Sequence, residues 1–194
     1  MNSKKNTAYV IAGIIVLLVI YAFISFNGLV RKDEKVKQQW NEVQSAYQRR
    51  TDLIPNLVNV VKGQAEFEQG TLVQISEARA AAVNTVSSNL TPETFNQQTA
   101  AQNKLASATN RLVVTIEKYP QLKGAEAFAG LQVQLEGTER RIKFARKDFN
   151  TSIADYNSSV KSFPTKIFAA VFGFPPKEGF QADSGADQSV EIKF

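Results

Sequence analysis

The sequence predicts an all-α protein: an up-and-down antiparallel bundle of four helices, the first two of which can also be read as one kinked helix, preceded by one transmembrane helix. Three observations carry this. Between Lys5 and Arg31 there is no charged residue, and 8–26 is almost wholly apolar. Later apolar residues recur every three or four positions, the period of a helix face rather than of a strand. Prolines and glycines cluster where those stripes stop.

At about 1.5 Å per residue, about 20 residues cross the ~30 Å hydrocarbon layer of a bilayer, and the apolar run is that long. Tyr9 and the aromatics between Tyr21 and Phe26 lie toward its ends, as membrane interfaces favour. A cleaved signal peptide has a shorter apolar core and a small-x-small site, and no convincing site follows Ile20. Residues 1–7 are therefore read as a short polar N-terminus and 8–30 as an uncleaved anchor in the cell membrane, single-pass. Lys4 and Lys5 precede the run, whereas Arg31, Lys32, Lys35 and Lys37 follow it, which places the bundle on the cytoplasmic side.

Helix A is expected over 32–50, with Val36, Trp40, Val43 and Tyr47 on one face. The stripe continues through Ile54, Leu57 and Val61, and Arg50 is its one charged member. Pro55 lies inside it, where a missing donor costs roughly 3 kcal/mol. Either one helix kinks there, as the unbroken stripe suggests, or the chain reverses and helix B, over 52–86, starts with Asp52 as N-cap and Pro55 in its first turn. Burial favours the reversal, since the long fourth helix needs a partner along its whole length. Arg50 sits either at a bundle end with its head in water or buried against an acid such as Asp52 or Glu117.

Ser87-Ser88-Asn89 reads as a loop. Thr91-Pro92-Glu93 supplies an N-cap, a first-turn proline and an acid for helix C, which stops at Tyr119-Pro120. Its Gln, Asn, Ser and Thr residues between Gln97 and Asn110 are assigned to an outer polar face. Helix D carries the longest stripe, from Phe128 through Leu135, Ile142, Phe149 and Tyr156 to Phe163, and Pro164 ends it. A short apolar piece, 167–172, follows. Residues 31–174 form the bundle and 175–194 a flexible tail.

Composition narrows the chemistry. The chain has no histidine and no cysteine, so Ser/His/Asp and Cys/His catalysis and the Glu-x-x-His metal sites of helix bundles cannot be built. No metal or cofactor is expected. The net charge of +5 is spread along the chain. Its densest basic group, Arg140, Arg141, Lys143, Arg146 and Lys147, follows Glu136 and Glu139 at the i,i+4 spacing of surface ion pairs, so no nucleic acid is expected as partner.

The run from Arg49, Arg50, Thr51, Asp52, Leu53, Ile54, Pro55, Asn56, Leu57 and Val58 to Val61-Lys62-Gly63 resembles the signature of the bacterial LemA family. So do Asn27-Gly28-Leu29-Val30, Ala78-Arg79-Ala80, 117–123, 135–139, Asp155-Tyr156-Asn157 and Gly173-Phe174. The family's usual Tyr and His after the Lys-Gly pair are replaced here by 64–68, Gln-Ala-Glu-Phe-Glu. The resemblance implies a single-pass membrane protein with a helical domain and no established activity. The candidate interaction residues are Arg49, Arg50, Asp52, Pro55 and Asn56, together with Val190, Ile192 and Phe194, which alternate with charges at the C-terminus, either as in peptides that add to a sheet edge or as a frayed end that packs on the bundle or stays mobile. The expected function is a non-enzymatic scaffold or adaptor. Its partners are the bilayer through 8–30, other envelope proteins, among them a membrane protease or its adaptor, and a second copy of itself. The competing reading is a membrane-bound enzyme using carboxylates from separate helices.

Overall fold

The computed structural model describes residues 2–62, 69–87, 90–120 and 126–181. Among these are five α-helices and no strand: α1 Asn2–Lys62, α2 Gln69–Asn84, α3 Pro92–Ile116, α4 Glu126–Lys161 and α5 Thr165–Phe172. The chain forms two compact units. One is Lys37–Asp148; the other combines Met1–Val36 with Phe149–Phe194. Long helices α1 and α4 contribute to both.

The reversal expected at Pro55 does not occur. α1 runs on through Pro55 to Lys62 as one helix of 61 residues. The reason is local. Proline cannot donate to the carbonyl four residues back, that of Thr51. Here Nε of Arg79 in α2 donates to that carbonyl at 2.9 Å instead. Asp52 is accordingly no N-cap; it is exposed and accepts from Nε2 of Gln48, one turn back, at 2.7 Å. The stripe keeps its phase, with Val36, Trp40, Val43, Tyr47, Ile54, Leu57 and Val61 all buried. The expected helix B is the end of α1 plus a separate α2, and the residues between them lie outside the described set.

In the Lys37–Asp148 unit one apolar core draws on four helices: Leu53, Ile54, Leu57, Val58 and Val61 of α1, Ile75, Ala78 and Ala82 of α2, Leu105, Leu112 and Ile116 of α3, and Phe128 and Leu135 of α4. α3 begins as its sequence dictates. Thr91 accepts from the amide of Thr94, whose own hydroxyl accepts from the Thr91 amide, and Pro92 occupies the first turn. Its polar residues are not all outside, however. Gln98, Gln102 and Thr109 share the buried stripe with Phe95, Leu105 and Leu112.

In the second unit, α1 residues near Tyr21–Lys32 lie against the end of α4 and against α5. Nζ of Lys32 donates to the Asp155 carbonyl at 3.2 Å, and Tyr21 and Thr165 share a hydroxyl bond of 3.0 Å. This supplies a partner for the far end of α4 without a chain reversal. Phe149, Ile153, Tyr156 and Val160 are buried as their stripe predicts, but Phe163 is not, since α4 ends at Lys161. N-terminal to this region, the apolar side chains from Tyr9 to Ile20 that the structure describes are exposed, and α1 holds one segment long and apolar enough to cross a membrane.

Candidate functional site

Arg50 is the largest fully buried side chain, only 2% exposed. It reaches α3 and α4 at once. Nη1 donates to the Gln102 carbonyl at 2.8 Å and Nη2 to Oε2 of Glu139 at 3.1 Å, while Nε lies 2.9 Å from Oε1 of the same carboxylate. Burial lowers the Arg50 pKa below the usual guanidinium range, opposed mainly by Glu139. The partner is therefore neither Asp52 nor Glu117, and Glu139 serves this cross-helix pair rather than the expected one with Lys143. A planar, five-donor group suits such multiple contacts.

Next to it, the Tyr47 hydroxyl accepts from Nε and Nη2 of Arg146 at 3.0 and 2.8 Å, and Nη2 also donates to Oδ1 of Asn103 at 3.1 Å. Burial pushes the Tyr47 pKa up, with the Arg146 charge opposing. On α3, Gln98 and Gln102 are 1% and 0% exposed, and among the described residues neither side-chain amide has a hydrogen-bond partner. The result is a polar layer across α1, α3 and α4 inside an otherwise apolar core. No group of three or more acids gathers among the described residues.

The other predicted residues separate. Arg49 is exposed, 3.4 Å from Oε1 of Gln134, and lines an open groove of about 840 Å³ between α1 and α4. Glu42, Ser45 and Ala46 line it from α1; Gly137, Arg141, Phe144 and Asp148 are among those from α4. Asn56 is exposed and Pro55 half-buried. Val190, Ile192 and Phe194 lie outside the described residues.

A second constellation, in the other unit, escaped sequence reasoning. Residues after α5 run extended along α4 and are held by two asparagines seven positions apart. Asn157 donates to the Lys177 carbonyl at 2.7 Å and accepts its amide at 2.8 Å; Asn150 treats Phe180 the same way at 2.9 and 2.8 Å. The Tyr156 hydroxyl donates to the Pro175 carbonyl at 2.9 Å, and Nζ of Lys177 pairs with Asp33 at 2.9 Å. Seven helical residues span about 10 Å, the reach of three extended residues, so the two clamps match in register. Tyr156 and Asn157 belong to a motif that carries the family resemblance, but only the fold shows what their side chains grip.

These features define a class: an all-α protein whose long first helix joins an apolar run to a helical core pinned by a buried arginine, with no catalytic constellation among the described residues. The chain belongs to the LemA family, whose model matches residues 39–194. It is similar to the magnetosome protein MamQ of Magnetospirillum gryphiswaldense, 24% identical over 90% of this chain and 73% of that protein. A magnetosome protein of Paramagnetospirillum magneticum, MamQ 1, is 22% identical over 91% of this chain and 74% of its own length. Protein LemA of Metamycoplasma hominis is 22% identical over 74% of this chain and 63% of its own.

Proposed function

We propose that this chain is a non-enzymatic, membrane-anchored scaffold or adaptor for other envelope proteins. It spans the bilayer once through the apolar run of α1, and its second half of α1, α2, α3 and the first half of α4 make an up-and-down bundle on the cytoplasmic side. The carrying observation is where the charged and apolar groups go. Arg50 and Tyr47 are buried and engaged by Glu139 and Arg146, whereas the α1–α4 groove leaves Phe144 61% exposed beside Arg49, Arg141 and Glu42. An exposed aromatic in an open, charge-rimmed groove suits a protein surface better than a small-molecule site. The cross-helix bonds support the antiparallel sense: Arg79 with Thr51 and Gln44 with Ser87 pair ascending α1 with descending α2. None of the relatives' names denotes a reaction.

A photocrosslinking residue at Ser45 in living cells tests this. Adducts with one or a few envelope proteins are expected, absent when the same residue replaces Asn56 outside the groove; no adduct at Ser45 rejects the scaffold reading. Fusions of alkaline phosphatase and of a fluorescent protein to the C-terminus test the sidedness, and phosphatase activity would reverse it. The alternating residues Val190, Ile192 and Phe194 are proposed as a second recognition element, for a partner domain or for a membrane protease or its adaptor. Deleting 190–194 is expected to remove one specific co-purifying protein while membrane anchoring persists.

A further inference from the structure

Phe163 and α5 present an apolar surface that the rest of their unit does not cover. Phe163, in the turn before α5, is 83% exposed; Ile167, about half exposed, and Val171, 75% exposed, lie four apart on one face of α5. The opposite face packs against α1. Ala169 is buried, Phe168 lies 5.6 Å from Tyr21, and Phe172 lies 5.1 Å from Phe26, ring centroid to centroid. The exposed face therefore adjoins the end of the apolar run of α1, where Phe23 and Ile24 are themselves exposed. The direction of packing matters too. Tyr21 meets Thr165 and Phe168, and Phe26 meets Phe172, so the turn between α4 and α5 lies farthest toward the apolar run and Phe163 is at its tip.

Polar groups at this tip are closed off internally, as a lipid environment requires. The Ser162 hydroxyl donates to the Ser158 carbonyl at 2.6 Å and the Thr165 and Tyr21 hydroxyls bond each other; at the other end of α5 the Phe174 amide donates to the Ala169 carbonyl at 2.9 Å beyond the left-handed Gly173. Lys161 and Lys166 flank the apolar face and are exposed, with stems long enough to reach a headgroup layer.

We propose that the α4–α5 turn and α5 dip into the bilayer interface beside α1, making a second, non-spanning contact with lipid. Phe163, Ile167 and Val171 enter the outer part of the acyl region, and Lys161 and Lys166 meet lipid phosphates. This rests on the reading of α1 as a membrane anchor and extends it. It sets the membrane surface near Tyr21 to Phe26, so that Leu29 and the residues after it lie outside the hydrocarbon.

The absence of cysteine makes the test direct. Four single-cysteine variants of the full chain, Val16→Cys, Phe163→Cys, Val171→Cys and Phe144→Cys, are labelled with an environment-sensitive fluorophore and reconstituted in vesicles of phosphatidylcholine with phosphatidylglycerol. All four positions are exposed, so the labels leave the packing intact. Lipids carrying a quencher at shallow or deep acyl positions should quench Val16 most from the deep position and Phe163 and Val171 most from the shallow one; Phe144 should respond only to aqueous iodide. If Phe163 and Val171 behave like Phe144 while Val16 is quenched by lipid, the interfacial contact is rejected and the anchor stands. If Val16 too is reached only by iodide, both readings fall.

Discussion

The carbonyl of Thr51, deprived of its helical donor by Pro55, accepts from Nε of Arg79 at 2.9 Å. An orphaned carbonyl is thereby satisfied from a neighbouring helix, and α1 keeps both its proline and its continuity. Replacing Arg79 with Met should cost about 1–3 kcal/mol, the penalty for losing a charged donor from a part-buried acceptor. In a Pro55→Ala background the alanine amide can serve Thr51, so the same replacement should cost clearly less. Equal losses in both backgrounds, measured by chemical unfolding, would contradict the compensation.

Arg50 carries the polar layer. Glu139 is about half exposed, so part of its interaction is screened by water, and Glu139→Ala should cost about 1–2 kcal/mol. Arg50→Ala leaves a hole as well as a bare carbonyl and should cost about 3–5 kcal/mol. Urea midpoints distinguish the two. An unchanged midpoint for Arg50→Ala would mean that the arginine is not buried in solution.

Gln98 and Gln102 run the other way. A buried amide without a partner weakens a fold, and an apolar group of similar size can be neutral or better. Gln98→Leu and Gln102→Leu are each expected to raise the melting temperature. A fall in either would show that the amide is satisfied in solution.

Stability should decline at high pH through tyrosine. Burial, then the Asp33 carboxylate, push Tyr156 up to about 12, and burial also raises Tyr47. Unfolded tyrosine loses its proton near pH 10, so between about pH 10 and 12 the unfolded state binds fewer protons than the folded one and unfolding is favoured. The contribution is complete below pH 10 and is lost as pH rises through the folded values. Ultraviolet titration of tyrosinate should show a component near 12 that disappears in Tyr156→Phe.

Gly179 lets the extended segment lie against α4, since a Cβ there would sit 2.6 Å from Oδ1 of Asn150, an atom already committed to the Phe180 amide. Gly179→Val should release this segment while leaving the helices in place. Hydrogen exchange at the Lys177 and Phe180 amides should rise at least tenfold, with helicity unchanged; protection equal to wild type would show that the clamp tolerates a side chain.

Much of this protein was written in short-range signals. The 3- and 4-residue spacing from Val36 to Val61 and from Phe128 to Val160 marks the buried faces, and Thr91-Pro92 marks the start of α3 to the residue, because stripes and caps depend on neighbours within one turn. The apolar run of α1 was equally plain. Tertiary structure decided what those signals cannot hold. Pro55 is compatible with a kink, a reversal or a continuous helix until Arg79, 28 positions from Thr51, answers its orphaned carbonyl. Arg50 had acids nearby in sequence, yet its partner is 89 positions away. Gln98 and Gln102 look like surface residues by composition but occupy buried stripe positions, and Asn150 and Asn157 become a clamp only when the chain after α5 folds back across them. Helix propensity acts over a few residues, whereas the fate of a buried polar group is settled by whichever helix packs against it.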